Sequence, residues 1–420
     1  MLEDQKATRD DLRMKQKYII LVGDGMGDYP LQELGGKTPL EAARTPNLDR
    51  LVLKGRLGLV QTVPEGMEPG SDVANMSLLG YDPRQYHTGR GPLEAASMGI
   101  HLASNEVAFR CNLVNLETDS SGVIRMGDYS SGHITTIESH AIIISLQRAL
   151  VATPLKLYPG VSYRHLLVWP EGPENIKTTP PHDITGQQVA PYRQCYFEEP
   201  LLLAFIEKAA AILSDHPVNR ERVAAGKRPA NAVWPWGQGR APSMPSLKER
   251  FGLTGGMISA VDLLKGLGVY AGLEPVSVPG VTGYLDTNYS GKVDAALKAL
   301  ETGDLVYVHI EAPDETSHEG SLEKKLEAIE AFDEKVLGPM VEGARKFPKV
   351  RMMVVTDHLT PITVRTHVAD PVPVLLVEDL NASGSVGAPV ARFCERTAKH
   401  TGWQLASGVE LFEIFLGRKR

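Results

Sequence analysis

"KYIILVGDG", residues 17–25, is a short β-branched and apolar run that ends on Asp24. A run this continuously apolar suits a strand buried on both faces, as in a parallel sheet. Two other stretches have the same shape. "DLVYVHIEAPDETSH" (304–318) runs apolar and then turns acidic at Glu311 and Asp314, and "VRMMVVTDH" (350–358) ends on Asp357 and His358. "PVPVLLVED" (371–379) is a candidate fourth strand. Helical patterns lie between them. In "SLEKKLEAIEAFDEKVLGPM" (321–340), Leu322, Leu326, Ile329, Phe332 and Val336 make one apolar stripe, and "MISAVDLLKGL" (257–267) reads the same way. Alternating strands and helices predict a doubly wound α/β domain. Ligands of such folds bind beyond the carboxyl ends of the strands, where Asp24, Asp314 and Asp357 would sit.

Residues 96–250 have a different texture, rich in Pro, Gly and aromatic residues. They are expected to form a second α/β domain, inserted into a discontinuous one made of residues 1–95 and 251–420. The crossings carry turn-forming signals, "GRGP" in the first and "PSMPS" and "LTGG" in the second, so hinges are expected near 91–100 and 243–256.

Composition narrows the function. Of the 420 residues, 42% are hydrophobic and 23% charged, with a formal charge of −7. That balance is ordinary for a globular protein. With no basic stripe, nucleic acid is not an expected partner. No apolar run approaches the roughly 18 residues that cross a bilayer, so no membrane partner is expected either. The charged opening "MLEDQKATRDDLRMKQ" reads as a polar extension without a signal-peptide core. Cys111, Cys195 and Cys394 are widely separated, in neither a metal spacing nor a disulfide framework. A reducing cytoplasm is therefore the expected location. The oligomeric state is not legible.

The chemistry gathers at the expected strand ends: Asp24, then Asp314 and His318, then Asp357 and His358, and finally His367 in "VRTHVADP". Singly, each has an ordinary reading. Asp24 before Gly25 fits a turn, Asp314 and His318 fit an i,i+4 helix pair, and His367 fits a surface histidine. Jointly they are carboxylates and imidazoles without cysteine, a donor set suited to Mn²⁺, Zn²⁺ or Mg²⁺. With Ser71 they suffice for two adjacent metal sites, a recurrent solution for phosphoryl transfer. Ser71 follows a Pro-Gly turn in "MEPGSDVANMSLLGYDP" (67–83). The local sequence allows a helix cap or a nucleophile at a helix N-terminus that favours phosphate. Neither a P-loop nor a dinucleotide fingerprint is present, so a nucleotide site has no support.

Four stretches carry a family resemblance: "DGMGDYPLQELGGKTPLEAARTPNLDRL" (24–51), "PGSDVANMSLLGYDPRQYHTGRGPLEA" (69–95), "EAPDETSHEGSLEKKLEAIEAFDEKV" (311–336) and "TDHLTPITVRTHVADPVPVLL" (356–376). The chain resembles the alkaline phosphatase superfamily, and more closely its archaeal-type cofactor-independent phosphoglycerate mutases. The resemblance implies an alkaline-phosphatase-like fold and a Ser71 that becomes phosphoserine while also capping its helix. It implies one metal held by Asp24, Ser71, Asp357 and His358, and a second held by Asp314, His318 and His367. Two divalent ions, manganese first, and no 2,3-bisphosphoglycerate are the implied cofactors. A small phosphorylated molecule is the implied substrate, in glycolysis. The resemblance also forks. Mutases of this type carry an "RAGR"-like stretch where this chain has "DYSSGHITT" (128–136). "SYRHLLVW", "PPHDITG" and "WPWGQGRAPS" look more like a homoserine-kinase-like branch. The acceptor therefore stays open between glycerate and a homoserine-like alcohol. From the insert, Arg164 and Arg240 are candidate clamps for carboxylate or phosphate, and His133, His165, His182 and Asp183 are candidate acid/base or binding groups. Arg90 falls soon after the Ser71 helix, and Asn75 has no assigned role.

Overall fold

The computed structural model describes residues 15–382 and 392–419. The charged opening as far as residue 14 lies outside the described residues. The chain divides into two compact units, one reaching His87 and resuming at Met244, the other spanning Thr88–Ser243. The sequence placed these crossings at 95/96 and 250/251. The first shift has a packing cause. The helix Arg90–Ser97 lies against strands of the second unit, and a Cβ on Gly91 would collide with the Ala108 carbonyl. At the second crossing, the short helix Leu247–Phe251 is tied into the first unit by Leu247 N–H donating to the Ala271 carbonyl at 2.8 Å.

Strands are numbered along the whole chain. The first unit holds β1 (Lys17–Gly23), β2 (Arg56–Val60), β8 (Gly255–Ile258), β9 (Glu274–Pro275), β10 (Leu305–Ile310), β11 (Val350–Val355), β12 (Val372–Val377) and β13 (Gln404–Leu405). They form one sheet in the order β13-β2-β12-β11-β1-β10-β8-β9. β1 lies between β10 and β11, parallel to both. Its residues Ile19, Ile20, Leu21 and Val22 are all fully buried, because both faces are covered. That is why the run shows no period-two alternation. On one face Ile19, Leu21, Val306, Val308, Met352 and Val354 pack with Ile329, Phe332 and Val336 of the 321–340 stretch.

Three local features differ from the sequence expectation. The fourth strand, β12, runs antiparallel to β11 and β2. The stretch 257–267 begins as strand, since Met257 and Ile258 pair with Tyr307 and Val308, and the helix starts only at Asp262. Gly255 permits this pairing, because any Cβ there would strike the Leu305 carbonyl. The 321–340 stripe is helical from Leu322 to Ala331 but widens into a π turn at Phe332–Leu337. Pro339, two residues beyond the turn, supplies no N–H to the helical ladder. The turn aims Asp333 at the helix Pro46–Val52, where its carboxylate accepts from Leu48 N–H at 2.7 Å and Asn47 N–H at 3.1 Å.

The second unit is built on the long β3 (Glu106–Thr118). β3 pairs antiparallel with β6 (Arg164–Pro170) and, along its length, with β7 (Ala232–Arg240) and β4 (Ile124–Asp128). β5 (Lys156–Tyr158) adds to β6. Phe109, Cys111 and Leu113 face the helices Thr136–Leu150 and Pro200–Leu213 through Ile142, Leu146, Phe205 and Ile206. The alternate residues Ala108, Arg110 and Asn112 fall on the opposite face.

Leu21 is fully buried at the centre of the larger sheet, whereas Ile137 is 86% exposed. Leu21→Ala is expected to lower stability by about 2–5 kcal/mol in urea denaturation, and Ile137→Ala to change it by less than about 0.5 kcal/mol.

Candidate active site

The carboxyl ends of the parallel strands carry the expected residues to one place. Asp24 follows β1, Asp357 and His358 follow β11, and Asp314 and His318 lie on the helix Ala312–His318 that follows β10. His367 precedes β12. Because β12 is antiparallel, its start lies at the same edge as the ends of its parallel neighbours. The close approach needs Gly25, whose φ is +58°, and a Cβ there would sit 2.6 Å from both Asp314 Oδ1 and Thr360 Oγ1.

Two sets of donors converge. His318 Nε2 is 3.1 Å from Asp314 Oδ2 and 3.1 Å from His367 Nε2, and His367 Nε2 is 3.5 Å from Asp314 Oδ1. Beside them, His358 Nε2 is 3.1 Å from Ser71 Oγ, 3.4 Å from Asp24 Oδ1 and 3.5 Å from Asp357 Oδ2. The sets touch, since the His358 and His367 rings are 4.0 Å apart. By donor spacing alone His358 can also be grouped with Asp314 and His367. Its contact with Ser71 favours the grouping with Asp24 and Asp357.

Ser71 is not the helix cap. Gly70 holds that position with extended backbone (φ −164°, ψ 152°), and Ser71 is the first helical residue. Its hydroxyl turns to His358 instead of a backbone N–H. Asn75 gains a role: its amide donates to the Ser71 carbonyl at 2.7 Å and to Asp357 Oδ2 at 2.8 Å, and its oxygen accepts from the buried Tyr307 hydroxyl.

His309 is a site residue that sequence reasoning missed. It is fully buried on β10, with Nε2 3.5 Å from Asp24 Oδ2 and 3.6 Å from Asp357 Oδ2, and Nδ1 3.3 Å from Glu311 Oε1. Lys292 Nζ in turn holds Glu311 at 2.6 Å. The available signal was a histidine inside an otherwise apolar strand, "LVYVHI".

The electrostatics are those of crowded buried carboxylates. Burial, and then the charges of Asp357, Asp314 and Glu311, push the Asp24 carboxyl well above its usual range. Burial also opposes the charge of Glu311, but Lys292 and His309 win and hold it at about 2. Burial, against the charge of Asp357, drives His358 down to about 4. Asp24 Oδ1 is a buried oxygen with no hydrogen-bond donor. Orphaned acceptor, converging ring nitrogens and concentrated negative charge together fit divalent cations.

In the second unit the structure gathers some insert candidates and separates others. Trp236 lies under the guanidinium of Arg110 (4.6 Å) and near that of Arg90 (5.8 Å), and the His182 ring meets it edge-on at 5.4 Å. Tyr129 connects His182 to Tyr163, which His133 contacts edge-on and Arg164 overlies at 5.7 Å. Asp183 lies 3.6 Å from His182. Arg240 stands apart, its guanidinium taken by Glu174 at 2.5 Å and the Ser104 carbonyl at 2.9 Å. His165 is a buried structural histidine: Nδ1 accepts from Gly160 N–H at 3.0 Å, and burial lowers its pKa to about 3. Arg110, which the sequence did not single out, lies over the same Trp236 indole ring and pairs with Glu94 at 3.4 Å.

The chain is similar to known proteins in sequence and in fold. The 2,3-bisphosphoglycerate-independent phosphoglycerate mutase family is matched over residues 53–219. A Geobacter sulfurreducens protein described as "Probable 2,3-bisphosphoglycerate-independent phosphoglycerate mutase" is 50% identical over 402 residues, 96% of this chain and 100% of that one. The chain belongs to this family of cofactor-independent mutases. Among solved structures, a Pyrococcus horikoshii protein superposes with a TM-score of 0.79 at 28% identity, covering 97% of this chain and 99% of that one. The cofactor-independent phosphoglycerate mutase of Thermoplasma acidophilum gives a TM-score of 0.62 at 27% identity, covering 96% and 99%. Among the described residues no helix is long and apolar enough to cross a membrane.

In the metal-free chain His318 is raised to about 9. Burial opposes this, but the hydrogen bond and charge of Asp314 outweigh it. A raised folded-state pKa stabilises the fold below the ordinary histidine range, and that contribution is lost as pH rises through about 9. Ion binding must displace the proton, so apparent metal affinity is expected to increase with pH up to about 9. Calorimetric titration with Mn²⁺ in buffers of different ionisation enthalpy should show proton release at pH 7.

Proposed function

We propose that the chain interconverts 3-phosphoglycerate and 2-phosphoglycerate without 2,3-bisphosphoglycerate, through a phosphoserine at Ser71. The observation that carries this reading is the Ser71 hydroxyl, 3.1 Å from His358 Nε2 at the edge of the Asp24–Asp357 cluster. The family relationship supports the substrate pair. Asp24, Ser71, Asp357 and His358 would hold one divalent ion, and Asp314, His318 and His367 the other, with manganese the first choice. Such ions lower the pKa of a hydroxyl and neutralise phosphate charge when bound.

The chain's own groups supply the rest. Asn75 fixes the Ser71 backbone and the Asp357 carboxylate together. In the first half-reaction a bond forms between Ser71 Oγ and phosphorus while the bond from phosphorus to the substrate's 3-oxygen breaks. The serine proton is balanced by the proton that the glycerate 3-oxygen gains. In the second half-reaction the glycerate 2-hydroxyl takes the phosphoryl group and Ser71 regains a proton, so no co-reactant is consumed. Water must be excluded while phosphoserine persists. The second unit is proposed as the substrate-binding part, its Arg110–Trp236–Arg164 face receiving the glycerate carboxylate, since guanidinium forks match carboxylates. A cytoplasmic location agrees with three unbonded cysteines.

Ser71→Ala is expected to abolish mutase turnover and serine phosphorylation while the circular dichroism spectrum and metal stoichiometry survive. Near-native turnover in that variant would exclude the covalent route. Chelation should inactivate the enzyme, and Mn²⁺ should restore it. Arg164→Ala is expected to raise KM for 3-phosphoglycerate by about tenfold or more, the scale of one lost charge-assisted bond, with metal binding unchanged. An unaltered KM would remove Arg164 from the substrate site.

A further inference from the structure

Thr360 joins the two donor sets, and nothing in the reading above uses it. It is fully buried, three residues after Asp357. Its Oγ1 donates to Asp314 Oδ1 at 2.5 Å and lies 3.1 Å from His358 Nδ1. A hydroxyl has one proton. With that proton given to the carboxylate, the oxygen can only accept from His358, so Nδ1 must carry the ring proton. Nε2, the atom that faces Ser71, Asp24 and Asp357, is then the nitrogen left to offer a lone pair. The hydroxyl is itself held in place. Thr360 N–H donates to the Gly27 carbonyl at 3.2 Å, and its carbonyl accepts from Lys325 Nζ at 2.9 Å. Gly25 keeps the space above it free of a Cβ.

We propose that Thr360 is a positioning residue that sets the His358 tautomer and locks it to Asp314, so that the two sets of donors are prepared as one unit. The inference rests on the two-cluster metal reading. A ligating histidine is oriented by what its other nitrogen meets. The usual partner is a carboxylate or a backbone carbonyl acting on one ion's ligands. Here a single hydroxyl acts on both sets, donating to one and accepting from the other. The buried geometry makes the hydroxyl hard to replace: without it Asp314 Oδ1 and His358 Nδ1 would both lose a partner out of reach of solvent.

The test begins with the unaltered full-length chain, metal-free and labelled with heavy nitrogen at histidine. Nitrogen NMR should show His358, assigned by its loss in His358→Asn, protonated at Nδ1. An Nε2-protonated ring would overturn the proposal without any change at Thr360. Calorimetric titration with Mn²⁺ then compares variants. Thr360→Val keeps the shape and removes the hydroxyl, and should weaken Mn²⁺ binding by about 10–100-fold. Thr360→Ser restores the hydroxyl and should bind close to wild type. Wild-type affinity in Thr360→Val overturns the proposal. If that variant does not fold, the wild-type tautomer and the serine variant still decide. A wild-type chain that binds fewer than two ions would instead count against the metal reading itself.

Discussion

Buried negative charge is the constraint on which this structure turns. Asp24, Glu311, Asp314 and Asp357 are all under one-tenth exposed, at the ends of three adjacent strands. Burying one carboxylate without compensation is costly, and burying several together adds repulsion. Glu311 is neutralised by Lys292 and His309. The other three face histidines, of which His358 is held low by burial while Asp314 raises His318 against burial. Without an ion the balance is struck by protons: the Asp24 carboxyl is pushed well above its usual range by burial and its acidic neighbours, and Asp314 raises His318 to about 9 against burial, so a cation that displaces those protons suits the edge.

The surrounding fold is organised to hold these acids together. β1, β10 and β11 lie side by side and deliver their terminal acids to one edge, while the reversed β12 brings His367 to the same edge. The loops that carry the acids are fastened by Lys325. Its buried ammonium donates to the Gly27 and Thr360 carbonyls and to Asp28 at 2.8–3.1 Å. Removing one member of such a buried pair leaves an uncompensated charge, so these contacts constrain loop position strongly. Glu395 extends the fastening by accepting from Asp28 N–H and the Thr38 hydroxyl.

Much of this was legible because the sheet is covered on both faces, so its strands read as unbroken apolar runs whose acidic ends stand out. The six carboxylates and imidazoles singled out in the sequence all lie at the cluster, as does Ser71. What stayed hidden depends on long-range pairing. His309 occupies an interior strand position, where a continuous apolar run gives no clue to which side chain turns toward a site. Arg110 in "EVAFRCNLV" looks like an interruption until β7 places Trp236 beneath it. Arg240 looks like a free clamp until Glu174 is seen to hold it. The direction of β12 depends on its pairing partners, and helix entry at Ser71 shifts by one residue because Gly70 takes the extended conformation.

The division of labour between lysines and histidines follows from the same constraint. Lys292 and Lys325 stand at the rim of the cluster, each paired with one carboxylate that is absent from the converging donor sets. A lysine ammonium has no lone pair while charged, so it can neutralise an acid but cannot share it with an ion. Placed at the centre, it would satisfy Asp24 or Asp357 permanently and close the site. Histidine can be neutral and offer a lone pair, or protonated and offer a charge, within the ordinary pH range. Central positions filled by His318, His358 and His367 therefore leave the charge of the innermost acids to groups an ion can displace or bind, with only neutral donors such as Asn75 and Thr360 added. Permanent compensation at the rim keeps the loops folded, while exchangeable compensation at the centre keeps the donors available.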